Sequence, residues 1–420
     1  MYAEHEQEAP ARSEAAPTAF RAAEKLYQLR REQIFRQRKG KRVSKGVTVR
    51  ATDLTSVLDL GLAGEERPLP LGVARLPAQL GVPSCMPPSA AAYAFDAHPG
   101  LLLVRGALPP GLQRQLVMEA FTRFCEPPNH TTLTRTHPAG LPGIWAATQQ
   151  GLRLQPAGQA ACEAASGATG TDVSTPDGAP SDGSASSGRT TSIWGAGGGG
   201  PTADSLLRKL RWATLGPPYD WTQRRYLREA VHDPLPPQLR SLATELAGLA
   251  ASLLGAAAAA GSGGGGVADG AASCRNGAAE GSLGGASQAF CPDAALVNFY
   301  YEGDTLNGHV DDAENSLGQP LVSLSLGCDA VFLIGGHTRD VPPTPLLLRS
   351  GDAVVLAGDA RRCYHGVPRV LTDRPLPAAL RADGREGGSS SSDAGNAAAF
   401  APFARHLQHC RINISVRDTR

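Results

Sequence analysis

The chain has 420 residues, a formal net charge of +1, 41% hydrophobic residues and 49 glycines. So small a net charge excludes a global field that would draw in a polyanion, although a local basic patch suffices for that purpose. No apolar run approaches the length of a membrane span. Eight cysteines without a C-x-x-C pair point to reduced thiols in an intracellular setting, cytoplasm or nucleus, rather than to a disulfide framework. Much of the Gly and Ala is concentrated in biased tracts, which leaves roughly 300 residues for one core rather than the two or three domains that length alone allows.

Residues 1–17 are polar and expected to be disordered; Glu4, Glu6, Glu8 and Glu14 argue against an organelle transit peptide. Over 18–38, Phe20, Ala23, Leu26, Tyr27, Ile34 and Phe35 form a helical stripe that runs into the basic cluster RQRKGKRVSK. That cluster is a solvated helix end or a phosphate-contacting arm. Residues 50–90 are rich in Pro and Leu and read as irregular. AFDAHPGLLLVRGALPPG predicts a strand and a turn, and GLQRQLVMEAFTRFC (111–125) a helix with Leu112, Leu116, Val117, Ala120, Phe121 and Phe124 on one face.

From 146 to 204 the composition collapses to Gly, Ala, Ser and Thr. GAGGGG at 195–200 lacks the Lys-Ser/Thr of a phosphate loop and follows no strand, so it reads as linker. Similar tracts cover about 255–288 and 385–398, and all three read as surface insertions. Between the first two lie a strand around Trp212, an aromatic and basic loop, and a helix at about 236–254. ALVNFYY, PLVSLSLG, AVFLIGG, PLLLR, DAVVLAG and CRINISVR then follow as short strands. Helices first and strands last predict an α+β fold, a sheet sandwich or barrel with helices packed on one side. Residues 1–92 read as an N-terminal extension, 93–420 as one interrupted domain, and 293–420 as its core.

The candidate chemistry lies in that last stretch. His309 and Asp311 are two apart at the edge of a strand, so they point the same way. With His365 in RRCYHGV they make two imidazoles and one carboxylate, a set that leaves three adjacent coordination positions open and favours non-haem Fe(II), although zinc accepts it too. RINISVR alternates strictly, with Arg411, Asn413, Ser415 and Arg417 on one face and Ile412, Ile414 and Val416 on the other. Two arginines turned inward from a buried strand demand anions, and a dicarboxylic acid would satisfy both. The plain alternative is an exposed edge strand. Asn298 and Tyr300 add another same-face pair.

The series Asn298-x-Tyr300, His309-x-Asp311, His365 and Arg411-x-Asn413-x-x-x-Arg417 resembles the AlkB family of Fe(II)- and 2-oxoglutarate-dependent dioxygenases. The 54-residue step from Asp311 to His365 fits that family's core. LVSLSLGCDAVFLIGG, LLLRSGDAVVLAGDARRCYHGV and HCRINISVRDTR carry the likeness. LRWATLGPPYDW and FRAAEKLYQLRRE bring it closest to the first AlkB-homologue subfamily. The resemblance is strong over 293–420, fair over 205–254, weak over 18–50 and 93–130, and absent from the biased tracts.

The resemblance implies a double-stranded β-helix, a jelly roll of two packed sheets. It implies Fe(II) on His309, Asp311 and His365, and 2-oxoglutarate and O2 as co-substrates. Arg411 would pair with the far carboxylate and Arg417 with the metal-side end, while Asn298, Tyr300 and Asn413 hydrogen-bond the co-substrate. Oxidative decarboxylation to succinate and CO2 would drive hydroxylation of an N-methyl group, with loss of formaldehyde. The region of Trp212, Tyr219, Trp221 and Tyr226, with Arg224 and Arg225 between, corresponds to the family's nucleotide-recognition lid.

One departure follows the His-x-Asp. The founder has Lys and then an acid, and the nearest subfamily a base, whereas this chain has Asp312, Ala313 and Glu314. A negative residue there is expected to narrow the substrate range. The leading expectation is a monomeric enzyme that demethylates N1-methyladenine in tRNA or N6-methyladenine in DNA. The alternatives are oxidation of a protein side chain such as methyl-lysine, and a binding module without turnover.

Overall fold

Leu101, Leu102, Leu103 and Val104 are all buried, which an alternating strand achieves only when both its faces are covered. Leu101 and Leu103 pack into one apolar cluster, Leu102 and Val104 into another. The same split occurs on Ala353–Leu356, where Val354 and Leu356 join the first cluster and Ala353 and Val355 the second. The sheet that carries these strands is therefore the middle layer of the protein. The computed structural model describes residues 16–38, 41–61, 68–77, 86–156, 193–220, 222–261, 289–314, 317–381 and 391–420.

The middle layer is an eight-stranded antiparallel sheet. In spatial order it runs Val73–Arg75, Ala91–Phe95, Leu101–Arg105, Ala353–Leu356, Leu321–Gly327, Cys410–Arg417, Ala294–Tyr301 and Trp212–Leu215. Facing it is a four-stranded antiparallel sheet, ordered Leu306–His309, His365–Leu371, Asp329–Ile334 and Thr344–Leu348. Tyr93, Phe95, Leu321 and Leu356 from the large sheet pack with Phe332, Ile334, Leu346 and Val370 from the small one. This is the jelly-roll arrangement that the family resemblance implies.

Helices cover the far face of the large sheet. In Pro237–Gly261, Leu239, Leu242, Ala243, Leu246, Ala247, Leu249 and Ala250 are buried at helical spacing, beside Ile412, Ile414 and Val416. Burying each leucine contributes roughly 2 kcal/mol. A second helix on that face, Ser391–Leu407, inserts Phe400, Phe403 and Leu407. The tract expected at 385–398 as a surface insertion thus becomes helix from Ser391 onward, because those three apolar residues anchor it to the core. The second tract also starts as helix, up to Gly261. Residues 157–192 and 262–288, most of the first two tracts, lie outside the described residues.

Three other expectations change. The helix predicted over 18–38 spans only Ala19–Tyr27; Arg30–Arg38 is a strand paired with Lys41–Arg50. Nor do all the helices sit on one side, because Phe20 and Tyr27 of that first helix pack with Val331, Leu333 and Leu371 on the outer face of the small sheet. Finally, GAGGGG is no simple linker. Trp194–Gly195 pairs with Arg153–Leu154, Trp194 Nε1 donates to Pro142 O at 2.7 Å, and a Cβ on Gly200 would run into the Leu154 carbonyl. Glycine is needed there for close backbone approach.

Candidate metal and co-substrate centre

The strand Leu306–His309 pairs antiparallel with His365–Leu371, and its register sets His309 directly opposite His365. The imidazole centroids are 4.4 Å apart. Asp311 lies just beyond the strand end and turns back between them. Its carboxylate oxygens are 3.8 Å from His309 Nε2 and 3.6 Å from His365 Nε2. One donor atom from each residue lies within 4.8 Å of the other two.

Both imidazoles are held, and His309 and Asp311 are tuned toward the forms that bind a cation. His309 Nδ1 is bonded to Asn307 O at 3.0 Å and His365 Nδ1 to Cys363 O at 3.2 Å, which leaves both Nε2 atoms facing the centre. Burial, with His365 alongside, pushes the His309 imidazole down, so it is neutral at neutral pH. Burial also acts to raise Asp311, but Arg417 and the two imidazoles outweigh it and hold the carboxyl well below its usual range. Two imidazoles and one carboxylate fit a divalent iron ion.

The strand Cys410–Arg417 supplies the next layer. Its even-numbered apolar residues enter the helix-side core, and Arg411, Asn413 and Arg417 face the other way. Arg411, 1% exposed, donates through Nη2 to Ser325 Oγ at 2.8 Å and through Nη1 to Cys328 O at 3.4 Å. It stands opposite Tyr300 in the sheet register, and Asn413 stands opposite Asn298. Asn413 Nδ2 donates to Ser323 Oγ at 2.7 Å and to Leu324 O at 3.2 Å. The Nε atoms of Arg411 and Arg417 are buried without a partner. Orphaned guanidinium donors are costly, and a bound carboxylate is the group that would satisfy them. Burial pulls Arg411 down, whereas Asp311, Tyr226 and Glu314 together overcome burial at Arg417 and raise it.

A cavity of about 600 Å³ opens onto this centre, lined by His309, Asp311, Asn298, Asn413, Arg417 and Trp212. Tyr219 and Tyr226 also border it, their rings edge to face at 5.0 Å. They sit on two short paired strands, Tyr219–Asp220 and Arg225–Tyr226. Trp212 is half-buried rather than core, on the strand beside Asn298. Trp221 lies outside the described residues.

Glu314 is not where its expected role requires. It is 8% exposed, so it cannot present charge to an incoming substrate. Its carboxylate accepts from Arg361 Nη2 at 2.5 Å, Arg417 Nη1 at 2.8 Å and the Tyr226 hydroxyl at 3.2 Å. Arg361 also donates to the Asp311 carbonyl at 2.5 Å. The exposed acid is Asp312, paired with Arg224 at 2.7 Å. Arg361 is the residue that sequence reasoning missed. Its only local signal is an arginine four positions before His365, in a segment where neighbouring arginines look like surface.

The family model described as 2OG-Fe(II) oxygenase superfamily matches residues 187–417. The chain belongs to that superfamily. Among curated relatives, the "DNA N(6)-methyladenine demethylase ALKBH1A" of Arabidopsis thaliana is 29% identical over 427 residues, covering 96% of this chain and 97% of the relative. The "tRNA demethylase abh1" of Schizosaccharomyces pombe is 28% identical over 284 residues, covering 66% and 71%. The "Alpha-ketoglutarate-dependent dioxygenase AlkB" of Escherichia coli is 47% identical over 78 residues, 19% of this chain and 36% of that one. Within the superfamily the chain falls in the AlkB group, on its ALKBH1-like branch.

Proposed function

We propose that this chain oxidatively demethylates N-methylated bases in nucleic acid, tRNA or DNA, with N1-methyladenine and N6-methyladenine as first candidates. The carrying observation is the meeting of His309, Asp311 and His365 beside two buried arginines with unsatisfied Nε donors. His309 Nε2, Asp311 and His365 Nε2 would hold Fe(II). Arg411 and Arg417 would pair with the carboxylates of 2-oxoglutarate, with Tyr300, Asn298 and Asn413 on the same strand face. When bound, iron with 2-oxoglutarate and O2 supplies the oxidant and leaves succinate and CO2.

The protein's own contribution is positional. The two sheets bury the arginine side of the centre and leave its open side to the cavity. The backbone carbonyls of Asn307 and Cys363 fix the imidazole orientations, and Arg417 keeps Asp311 ionised. Trp212, Tyr219 and Tyr226 offer ring faces for an extruded base, and Arg224 and Arg135, also at the cavity, offer charge for its phosphates. The relatives' names point to the same substrate class.

The test is a panel of methylated tRNA, DNA and histone oligomers incubated with Fe(II), 2-oxoglutarate and ascorbate, with formaldehyde and modified nucleosides quantified by mass spectrometry. Formaldehyde from nucleic acid alone supports the reading; release from the histone peptides alone overturns it. Asp311→Ala is expected to lower turnover by about 100-fold or more, and an undiminished rate removes the metal assignment.

A further inference from the structure

A second set of donors converges near His365, and the reaction uses none of them. His337 follows the strand Asp329–Ile334 through Gly335 and Gly336. Asp359 sits on the 3-10 turn Gly358–Arg362, and Cys363 closes that turn four residues later. One donor atom each from His337, Asp359 and Cys363 lies within 4.8 Å of the others, and His337 Nε2 is 3.0 Å from Asp359 Oδ1.

The backbone beneath them is fixed. The Tyr364 N–H donates to Gly336 O at 2.9 Å and the Gly335 N–H to Tyr364 O at 2.8 Å, which ties the His337 segment to the residue after Cys363. The Cys363 N–H donates to Ala360 O at 3.2 Å, and the Ala360 N–H to Pro99 O at 2.9 Å, which anchors the turn to the large-sheet hairpin. The side chains differ in exposure: Cys363 is 4% exposed, whereas the imidazole and carboxylate are 52% and 54% exposed. The arrangement is a buried sulfur, packed against the apolar layer between the sheets, beside two solvent-facing donors.

We propose that His337 Nε2, Asp359 Oδ1 and Cys363 Sγ form a second metal site for a thiophilic divalent ion of the zinc class, with one coordination position left to solvent. The donor chemistry separates it from the first centre. A thiolate selects zinc-like ions over the harder cations that oxygen ligands hold, and one sulfur, one nitrogen and one oxygen donor are common zinc ligands. Thiolate and carboxylate together neutralise the ion's charge. Donors around a tetrahedral ion lie about 3.5 Å apart, so the present spread closes through rotation of the two exposed side chains. Binding is an exchange without redox: the Cys363 S–H bond gives way to a sulfur–metal bond and the proton passes to buffer. Because the Cys363 carbonyl also holds His365 Nδ1, filling this site pins the backbone that orients that imidazole.

Cobalt(II) tests this under anaerobic conditions, because thiolate ligation gives a near-ultraviolet charge-transfer band that a His-Asp-His centre cannot give. The full chain is expected to take up a cobalt ion that produces the band, in addition to the one held by the first centre. Cys363→Ser should lose both the band and that one equivalent. His337→Ala and Asp359→Asn, whose side chains are exposed and whose variants therefore fold, should each weaken the band-forming ion about tenfold or more. His309→Ala should lose the other ion and keep the band. A wild-type protein without the band overturns the proposal. So does a band that survives Cys363→Ser, or one indifferent to both His337→Ala and Asp359→Asn.

Discussion

Asp312 and Glu314 stand two residues apart and carry the same charge, yet they belong to different physical regimes. Asp312 is on the rim of the cavity, with side chains 58% exposed on its part and 64% on that of Arg224. Glu314 is in the floor, where its side chain and that of Arg361 are each 2% exposed. At the rim, water and salt screen the pair, so it is replaceable and free to be traded for a substrate phosphate. In the floor nothing replaces a lost partner. The pair contributes little compared with an apolar filling, but breaking it strands charge in a dry interior. The lesson is that the centre is built rigid below and exchangeable above.

The largest expected effect is therefore on the floor. Glu314→Gln leaves Arg361 and Arg417 without their shared counter-charge and should cost roughly 3–5 kcal/mol of stability, read by denaturant unfolding. An unchanged midpoint would mean that the two arginines find other partners and that the contrast is false. Next, Arg411→Ala should raise the KM for 2-oxoglutarate on the order of 100-fold, equivalent to about 3 kcal/mol, while iron binding by equilibrium dialysis stays near wild type. Loss of iron together with the co-substrate would instead mark a collapsed site.

Effects at the rim should be smaller and of a different kind. Tyr219→Ala should lower kcat/KM for methylated nucleic acid roughly tenfold through lost stacking, with uncoupled 2-oxoglutarate turnover preserved; a matching fall in both would move Tyr219 into the floor. Arg224→Ala should weaken nucleic-acid binding severalfold at low salt and hardly at all at high salt, with an unchanged melting temperature. A salt-independent loss would show that Arg224 shapes the lid rather than meeting phosphates. That residue has a φ of 53°, a left-handed conformation uncommon for arginine.

The floor was more legible in the sequence than the rim or the outer helices. Strict alternation in RINISVR gave both faces of one strand, because period two fixes orientation once burial on one side is known. The family likeness tied His309, Asp311 and His365 together. Glu314 was misjudged because its partner Arg361 is 47 residues away, and no local pattern distinguishes a buried acid from a surface one. The helix read through 18–38 stops at Tyr27 because the next segment finds a pairing strand in 41–50, where Val43, Val47 and Val49 favour extended structure. Helix Ser391–Leu407 was hidden by its Ser, Gly and Ala content, with Phe400, Phe403 and Leu407 as its only readable signal.

The contact between Glu24 and the Gly308 amide, 2.5 Å across 284 positions of chain, sets an order of events during synthesis. The Phe20 ring packs against Gly308 so closely that a Cβ there would overlap it, one position before a residue of the iron centre. The helix Ala19–Tyr27 thus emerges from the ribosome long before the strand it braces. It must wait, at about 5–20 residues per second, for the intervening chain to be made, and the loop it then closes is a long one. Bracing of the His309 strand accordingly waits on a partner made 284 positions earlier.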